Sequence, residues 1–246
     1  MILPRSKDAI HKAWLLRLLI HLIDDPLLAS NLFFKGGSCA AMLGWLDRFS
    51  IDLDFDLAAG ADKEKLRKNL YKIYKKMGLQ VKDESKRVLQ FFLRYPMKPG
   101  QRNTIKLDII DLSTASNQYS RQYLADIDRY AICQSQATMF SHKLVALMDR
   151  YERFGSIAGR DIYDIHYFFV NGFSYDSKVL SERTGLKASV YLEKLLTFIE
   201  KKVNMRNIDE DLNVLLPPEK FKAIRQSLKT EVLILLKDET NRLRGV

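Results

Sequence analysis

Lys35-Gly36-Gly37-Ser38 and, thirteen residues after the serine, Ile51-Asp52-Leu53-Asp54-Phe55-Asp56-Leu57 decide how this 246-residue chain is read. The second stretch alternates strictly, with Asp52, Asp54 and Asp56 on one side and Ile51, Leu53, Phe55 and Leu57 on the other. That period predicts a strand with one apolar face, and it sets Asp52 and Asp54 close enough to share a divalent cation. Two like charges so placed need a metal or a base to compensate them. The alternative is a pair of solvent-facing acids on an edge strand. Asp56 continues the same face, and both a metal and solvent stay open as its partner. Before the glycines, Leu32–Lys35 reads as a short buried strand. Two glycines let the backbone approach a ligand closely, and Ser38 can cap a short helix running through Ala40, Met42, Leu43 and Leu46. Free N–H groups with a hydroxyl make an anion site, although a Gly-Gly-Ser turn standing alone is more often just a turn.

Outward from this core, Ser6 to Ile23 reads as an amphipathic helix capped near Ser6 or Asp8 and closed by Asp24-Asp25-Pro26. Arg17 and His21 interrupt its apolar run, which argues against a signal peptide or a membrane span. Lys63 to Met77 has helical spacing at Leu66, Leu70, Ile73 and Met77 under a basic face, with Gly78 as its C-cap. Strands follow at about Leu79–Lys82, Val88–Tyr95 and Thr104–Ile110, with a turn from Pro96, Pro99 and Gly100. From Gln134 the chain reads as helical, broken near Gly155–Gly159, Gly172–Tyr175 and Pro217-Pro218. This gives a mixed half, residues 1–130, and a helical half, residues 131–246.

Apolar residues at 47% and charged residues at 28% match ordinary globular usage and exclude a disordered, collagen-like or disulfide-rich chain. Cys39 and Cys133 sit among apolar residues and read as reduced thiols of a cytoplasmic protein. The net charge of +10 points to a polyanionic partner. It is local: residues 62–106 hold fourteen Lys/Arg against four Asp/Glu, and the remaining residues balance. Either this is a solvated lysine-rich helix or it is a surface that tracks a phosphate backbone beside an active site. Asp108 stands in the apolar run Ile105-Lys106-Leu107-Asp108-Ile109-Ile110, where an unpaired carboxylate is expensive. It reads as a salt bridge to a nearby lysine or as the third carboxylate of a two-metal site. His11, His21, His142 and His166 have no ligand spacing. Tyr119, Tyr123 and Tyr130, with Arg121 and Arg129, read as half-buried helix anchors, with base stacking as the alternative.

Taken in order, these features resemble a known family. Lys35-Gly36-Gly37-Ser38 followed by Arg48-Phe49-Ser50-Ile51-Asp52-Leu53-Asp54-Phe55 resembles the first motif of the polymerase-beta-like nucleotidyltransferases, in the AbiEii-type branch of abortive-infection and toxin–antitoxin toxins. Lys143-Leu144-Val145-Ala146-Leu147, then Arg150, then Arg160-Asp161-Ile162-Tyr163-Asp164-Ile165 resembles the lysine helix and the Arg-Asp helix of that branch. The likeness runs from about Phe34 to Phe169. It implies an α+β fold, a small mixed sheet flanked by helices with a helical C-terminal extension. It also implies that Gly36, Gly37 and Ser38 hold the phosphates of a nucleoside triphosphate, that Asp52, Asp54 and Asp108 coordinate two Mg²⁺ ions, and that Lys143 contacts a phosphate. Asp161 belongs to the last motif as a catalytic position. Asp161 or Asp164, one turn apart, could position Lys143 or a substrate, and for Asp164 the expectation is capping or pairing with Arg150 or Arg160. Arg48 is expected to buttress the acidic strand.

The resulting expectation is a cytoplasmic, Mg²⁺-dependent toxin that transfers a nucleoside monophosphate to an acceptor hydroxyl, with the 3′ end of tRNA as acceptor. Lys68, Lys72 and Lys76 would bind RNA, an antitoxin protein would neutralise the activity, and no membrane is involved. The rival readings are transfer to a protein or small molecule, and a non-catalytic nucleotide- or RNA-binding module of the same fold.

Overall fold

A computed structural model describes residues 1–97, 102–111 and 113–245. The chain forms two compact units, one from Met1–Ser113 with Tyr119–Gln134 and one from Thr114–Gln118 with Ser135–Val246.

The first unit is built on seven strands: β1 (Leu32–Lys35), β2 (Leu53–Leu57), β3 (Gln80–Glu84), β4 (Leu89–Arg94), β5 (Thr104–Asp111), β6 (Tyr119–Leu124) and β7 (Arg129–Gln134). They form one sheet in the order β3-β4-β5-β2-β1-β7-β6. The β2–β5 and β1–β7 pairs are parallel and the rest are antiparallel. Four helices accompany the sheet: α1 (Ala9–Asp24), α2 (Pro26–Asn31), α3 (Gly36–Met42) and α4 (Lys63–Met77). Leu15, Leu18, Leu19 and Leu22 bury one stripe of α1. Phe34, Leu53, Phe55 and Leu107 supply buried apolar side chains from the central strands. In α4, Asp62 caps the Lys65 N–H at 3.0 Å and Gly78 ends the helix in the left-handed region at φ 68°.

Several expectations change. Pro26 does not only close the first helix; with Asp25 accepting from the Leu28 N–H, it starts a second, α2. Asp8 stands at the N-cap of α1 without a side-chain bond there, and Ser6 begins a short 3₁₀ turn instead. Helix α3 starts at Gly36, two residues before the expected serine cap, and ends at Met42. Asp52 precedes β2 by one residue. The tyrosine-rich run is not helical; it forms the β6–β7 hairpin, with Tyr123 paired to Tyr130. Of the expected turn, Pro99 and Gly100 lie outside the described residues.

His11 ties this unit together. Its ring nitrogens lie 2.9 Å from the Tyr95 hydroxyl and 2.9 Å from the Ile51 carbonyl, and burial lowers its pKa to about 4. An unfolded histidine titrates at 6.5. The fold therefore holds its full stability above that value and loses it as pH falls toward 4, when the buried ring must take a proton. We expect His11 to account for about 3 kcal/mol of acid destabilisation. Urea titrations across that window should show it, and His11→Gln should flatten the dependence.

The second unit is helical: α5 (Gln136–Phe154), α6 (Gly159–Val170), α7 (Ser177–Thr184), α8 (Ala188–Lys202), α9 (Met205–Leu212), α10 (Pro218–Ile224) and α11 (Leu228–Arg244). The breaks fall where Gly155 (φ 63°) and Pro217 stand. Gly159 lets α6 approach α9 closely, since a Cβ there would meet the Asn207 carbonyl oxygen at 2.6 Å. Among the described residues no helix is long and apolar enough to cross a membrane. Cys39 and Cys133 are buried free thiols.

Candidate active site

The strand register lines up four polar side chains across one face of the sheet. Lys35 on β1 is opposite Asp54 on β2, Asp54 is beside Asp108 on β5, and Asp108 is opposite Gln90 on β4. Burial first, and then the negative charges of Asp52 and Asp108, push the Asp54 pKa up to about 6. Lys35 and Lys106 oppose that rise. The Asp108 carboxylate is engaged by Lys106 at 2.5 Å and by Gln90 at 3.2 Å. It is thus the lysine-bridged acid that its apolar strand required. Among the described residues no group of three or more His, Cys, Asp or Glu side chains is gathered tightly enough to hold a metal ion. The fit to one is still good in kind: hard carboxylate oxygens, with an excess of negative charge concentrated at Asp54.

The glycine turn is built onto these acids. Gly36 has φ 78°, and a Cβ there would lie 2.9 Å from both Cβ and Cγ of Asp54. A Cβ on Gly37 would meet Ser50 Oγ at 2.8 Å and the Arg48 guanidinium at 3.1 Å. Arg48 is buried and donates to the Phe49 carbonyl at 3.0 Å. Ser38 is also buried, and its hydroxyl donates to the Asp52 carbonyl. It pins the turn to the acidic segment and does not cap α3. Asp56 does not face solvent. It is buried, with Lys35 at 2.6 Å, the Tyr119 hydroxyl at 2.7 Å and the Gln134 amide at 2.9 Å around its carboxylate.

In the second unit the two motif acids divide their work. Asp164, wholly buried, pairs with Lys143 at 2.7 Å. Asp161 pairs with Arg150 at 2.8 Å, and Arg160 with Asp211 at 3.0 Å. The expected partner of Asp164 was one of the arginines, but one turn of α6 places it against the lysine instead. Asp164 is therefore the residue that positions Lys143, and Asp161 supports Arg150. Asp164→Asn keeps an acceptor but removes the charge, and should cost about 1–3 kcal/mol of stability. A chemical melt would measure this, and an unchanged midpoint would show that the pair contributes nothing.

Lys68, Lys72 and Lys76 are exposed on α4. Arg67 on the same helix is structural, donating to the Ser85 carbonyl at 3.0 Å and the Val88 carbonyl at 3.1 Å. Reading the sequence did not single out Lys35, Gln90 or Lys106 as working residues. Register makes Lys35 and Gln90 neighbours of the acids, and alternation along β5 puts Lys106 beside Asp108.

A family model described as "Nucleotidyl transferase AbiEii toxin, Type IV TA system" matches residues 17–233. The chain belongs to this AbiEii nucleotidyl transferase toxin family. It is a nucleotidyltransferase of the toxin–antitoxin type, and its α+β architecture is a nucleotidyltransferase fold. Among solved structures it is similar to JHP933 from Helicobacter pylori, at 17% identity and TM-score 0.56, covering 98% of each chain. It is also similar to MenT4, the nucleotidyltransferase toxin Rv2826c from Mycobacterium tuberculosis H37Rv, at 17% identity and TM-score 0.52. That match covers 97% of this chain and 88% of the other. No curated protein matches the chain by sequence. AbiEii membership therefore rests on most of the chain's length, and the solved structures support the fold.

Proposed function

We propose that this AbiEii-family chain is a Mg²⁺-dependent cytoplasmic toxin that transfers a nucleoside monophosphate from an NTP to an RNA acceptor hydroxyl, with the 3′ end of tRNA as acceptor. The observation that carries the reading is the row Lys35–Asp54–Asp108–Gln90 with Gly36 set directly against Asp54. Asp52 and Asp54 would hold the cation, joined by Asp108 once it exchanges Lys106 and Gln90 for it. When bound, the metal would supply charge neutralisation at the phosphates. The backbone of Gly36 and Gly37 would receive the triphosphate, with Ser38 and Arg48 holding that turn in place. By the family likeness, Asp108 would also help remove the proton of the attacking hydroxyl. The family likeness assigns Lys143 to a phosphate, as a compact ammonium oriented by Asp164.

Lys68, Lys72 and Lys76 would track the RNA backbone. Incubation with labelled NTPs and separate pools of tRNA, protein and small molecules should label the tRNA pool. Label in protein or small molecules alone would replace RNA in this account. Reversing the three lysines to glutamate should weaken RNA binding by roughly tenfold or more and flatten its salt dependence. Unchanged binding would remove this helix from the acceptor site. Neutralisation by a co-produced antitoxin completes the proposal, as befits the family's toxin–antitoxin type.

A further inference from the structure

The face of the sheet that carries Asp54 does not end at β1. Tyr119 on β6 reaches the Asp56 carboxylate at 2.7 Å and its ring lies 4.8 Å from that of Phe33, so all three share a face. Alternation along β6 brings Arg121 and Tyr123 onto the same face, and register sets Tyr123 opposite Tyr130. The Tyr123 and Tyr130 rings are 5.2 Å apart, and the Arg121 guanidinium lies 4.5 Å from the centroid of Tyr130. These tyrosines are strand residues and not helix anchors, with Tyr123 48% and Tyr130 54% exposed. Three strand spacings across and a few residues along place this pair roughly 15–20 Å from Asp54 on one continuous surface.

We propose that Arg121, Tyr123 and Tyr130 form a stacking platform for the unpaired bases of the acceptor RNA, which then runs across the sheet face toward Asp54. This rests on the RNA reading above and extends it to a second, non-electrostatic contact. Planar rings beside a guanidinium are what single-stranded bases stack on, without sequence preference. The Arg121 guanidinium beside the rings also gives the patch a positive charge for the phosphates between stacked bases.

The test is fluorescence anisotropy of the full chain with a short unstructured RNA labelled at its 5′ end, at low and moderate salt. Tyr123→Ala and Tyr130→Ala should each weaken binding roughly tenfold, and the corresponding phenylalanine variants should stay within about twofold of the native chain. The salt slope should not change, in contrast with the α4 lysine variants. Equal binding by the alanine variants, with tRNA still labelled in the transfer assay, overturns the platform and leaves the RNA reading standing. No binding and no RNA labelling by the native chain overturns both. Alanine variants that change only the oligomeric state on gel filtration would make the patch a protein interface, and that also overturns the platform.

Discussion

Asp54→Asn should melt at a higher temperature than the native chain in metal-free buffer near neutral pH, and should lose nucleotide transfer by on the order of a thousandfold. Both effects have one origin. The Asp54 carboxyl, ordinarily at 3.8, stands at about 6 because burial and the neighbouring Asp52 and Asp108 charges disfavour its anion. Between those two values the folded chain keeps a proton that the unfolded chain has released. Stability therefore falls as pH rises through that window, and the penalty is complete above it. Two pH units correspond to about 3 kcal/mol at most, and partial exposure trims that to about 1–2 kcal/mol. Asparagine carries no charge to strain, so the variant should gain stability near neutrality and gain little near pH 4. Removing the same charge takes away the cation donor on which the proposed transfer depends. Paired thermal melts and a labelled-NTP assay would check both halves. A variant that transfers at the native rate would remove Asp54 from the chemistry, and a lower melting temperature would contradict the charge argument.

Gly36→Ala should be nearly as damaging to activity, and destabilising as well. Its backbone lies in the left-handed region at φ 78°, where an L side chain costs about 1–2 kcal/mol. The added methyl would also collide with the Asp54 side chain. Relief requires moving either the turn or the carboxylate, and a displacement of about 1 Å in such a site costs on the order of a hundredfold in rate. Gly44→Ala is the matched control, because Gly44 has φ 75° and a Cβ there would meet nothing within 4 Å. It should show only the backbone cost and retain transfer. Similar rates for the two variants would mean that close approach to Asp54 does not matter.

Much of the first unit was legible because its signals are local. Strict alternation marked β2, two phenylalanines before the glycines marked β1, and an apolar stripe with a glycine stop gave both ends of α4. The β6–β7 hairpin was missed because Ser120, Arg121 and Gln122 carry no apolar alternation. β6 is an edge strand with only one neighbour, so it needs little of it. In the candidate site, the acids could be found by spacing, but their partners could not. Asp56 is satisfied by Tyr119 and Gln134, more than sixty residues away, and Asp164 by a lysine on the preceding helix. Nothing linear distinguishes a compensated carboxylate from one waiting for a cation.

The sheet order also sets how much of the chain must be made before the proposed transfer site is complete. The strand carrying Asp54 pairs with β5, which is made only after two further strands, and β1 is flanked by β7, which is completed at Gln134. A nascent chain that has emerged only as far as β4 has no Asp108, and one that stops before Gln134 leaves Asp56 short of a partner. Such long-range pairing forms late. On the proposed roles the transfer site stays incomplete until more than half of the polypeptide has been made, a latency that requires no second molecule.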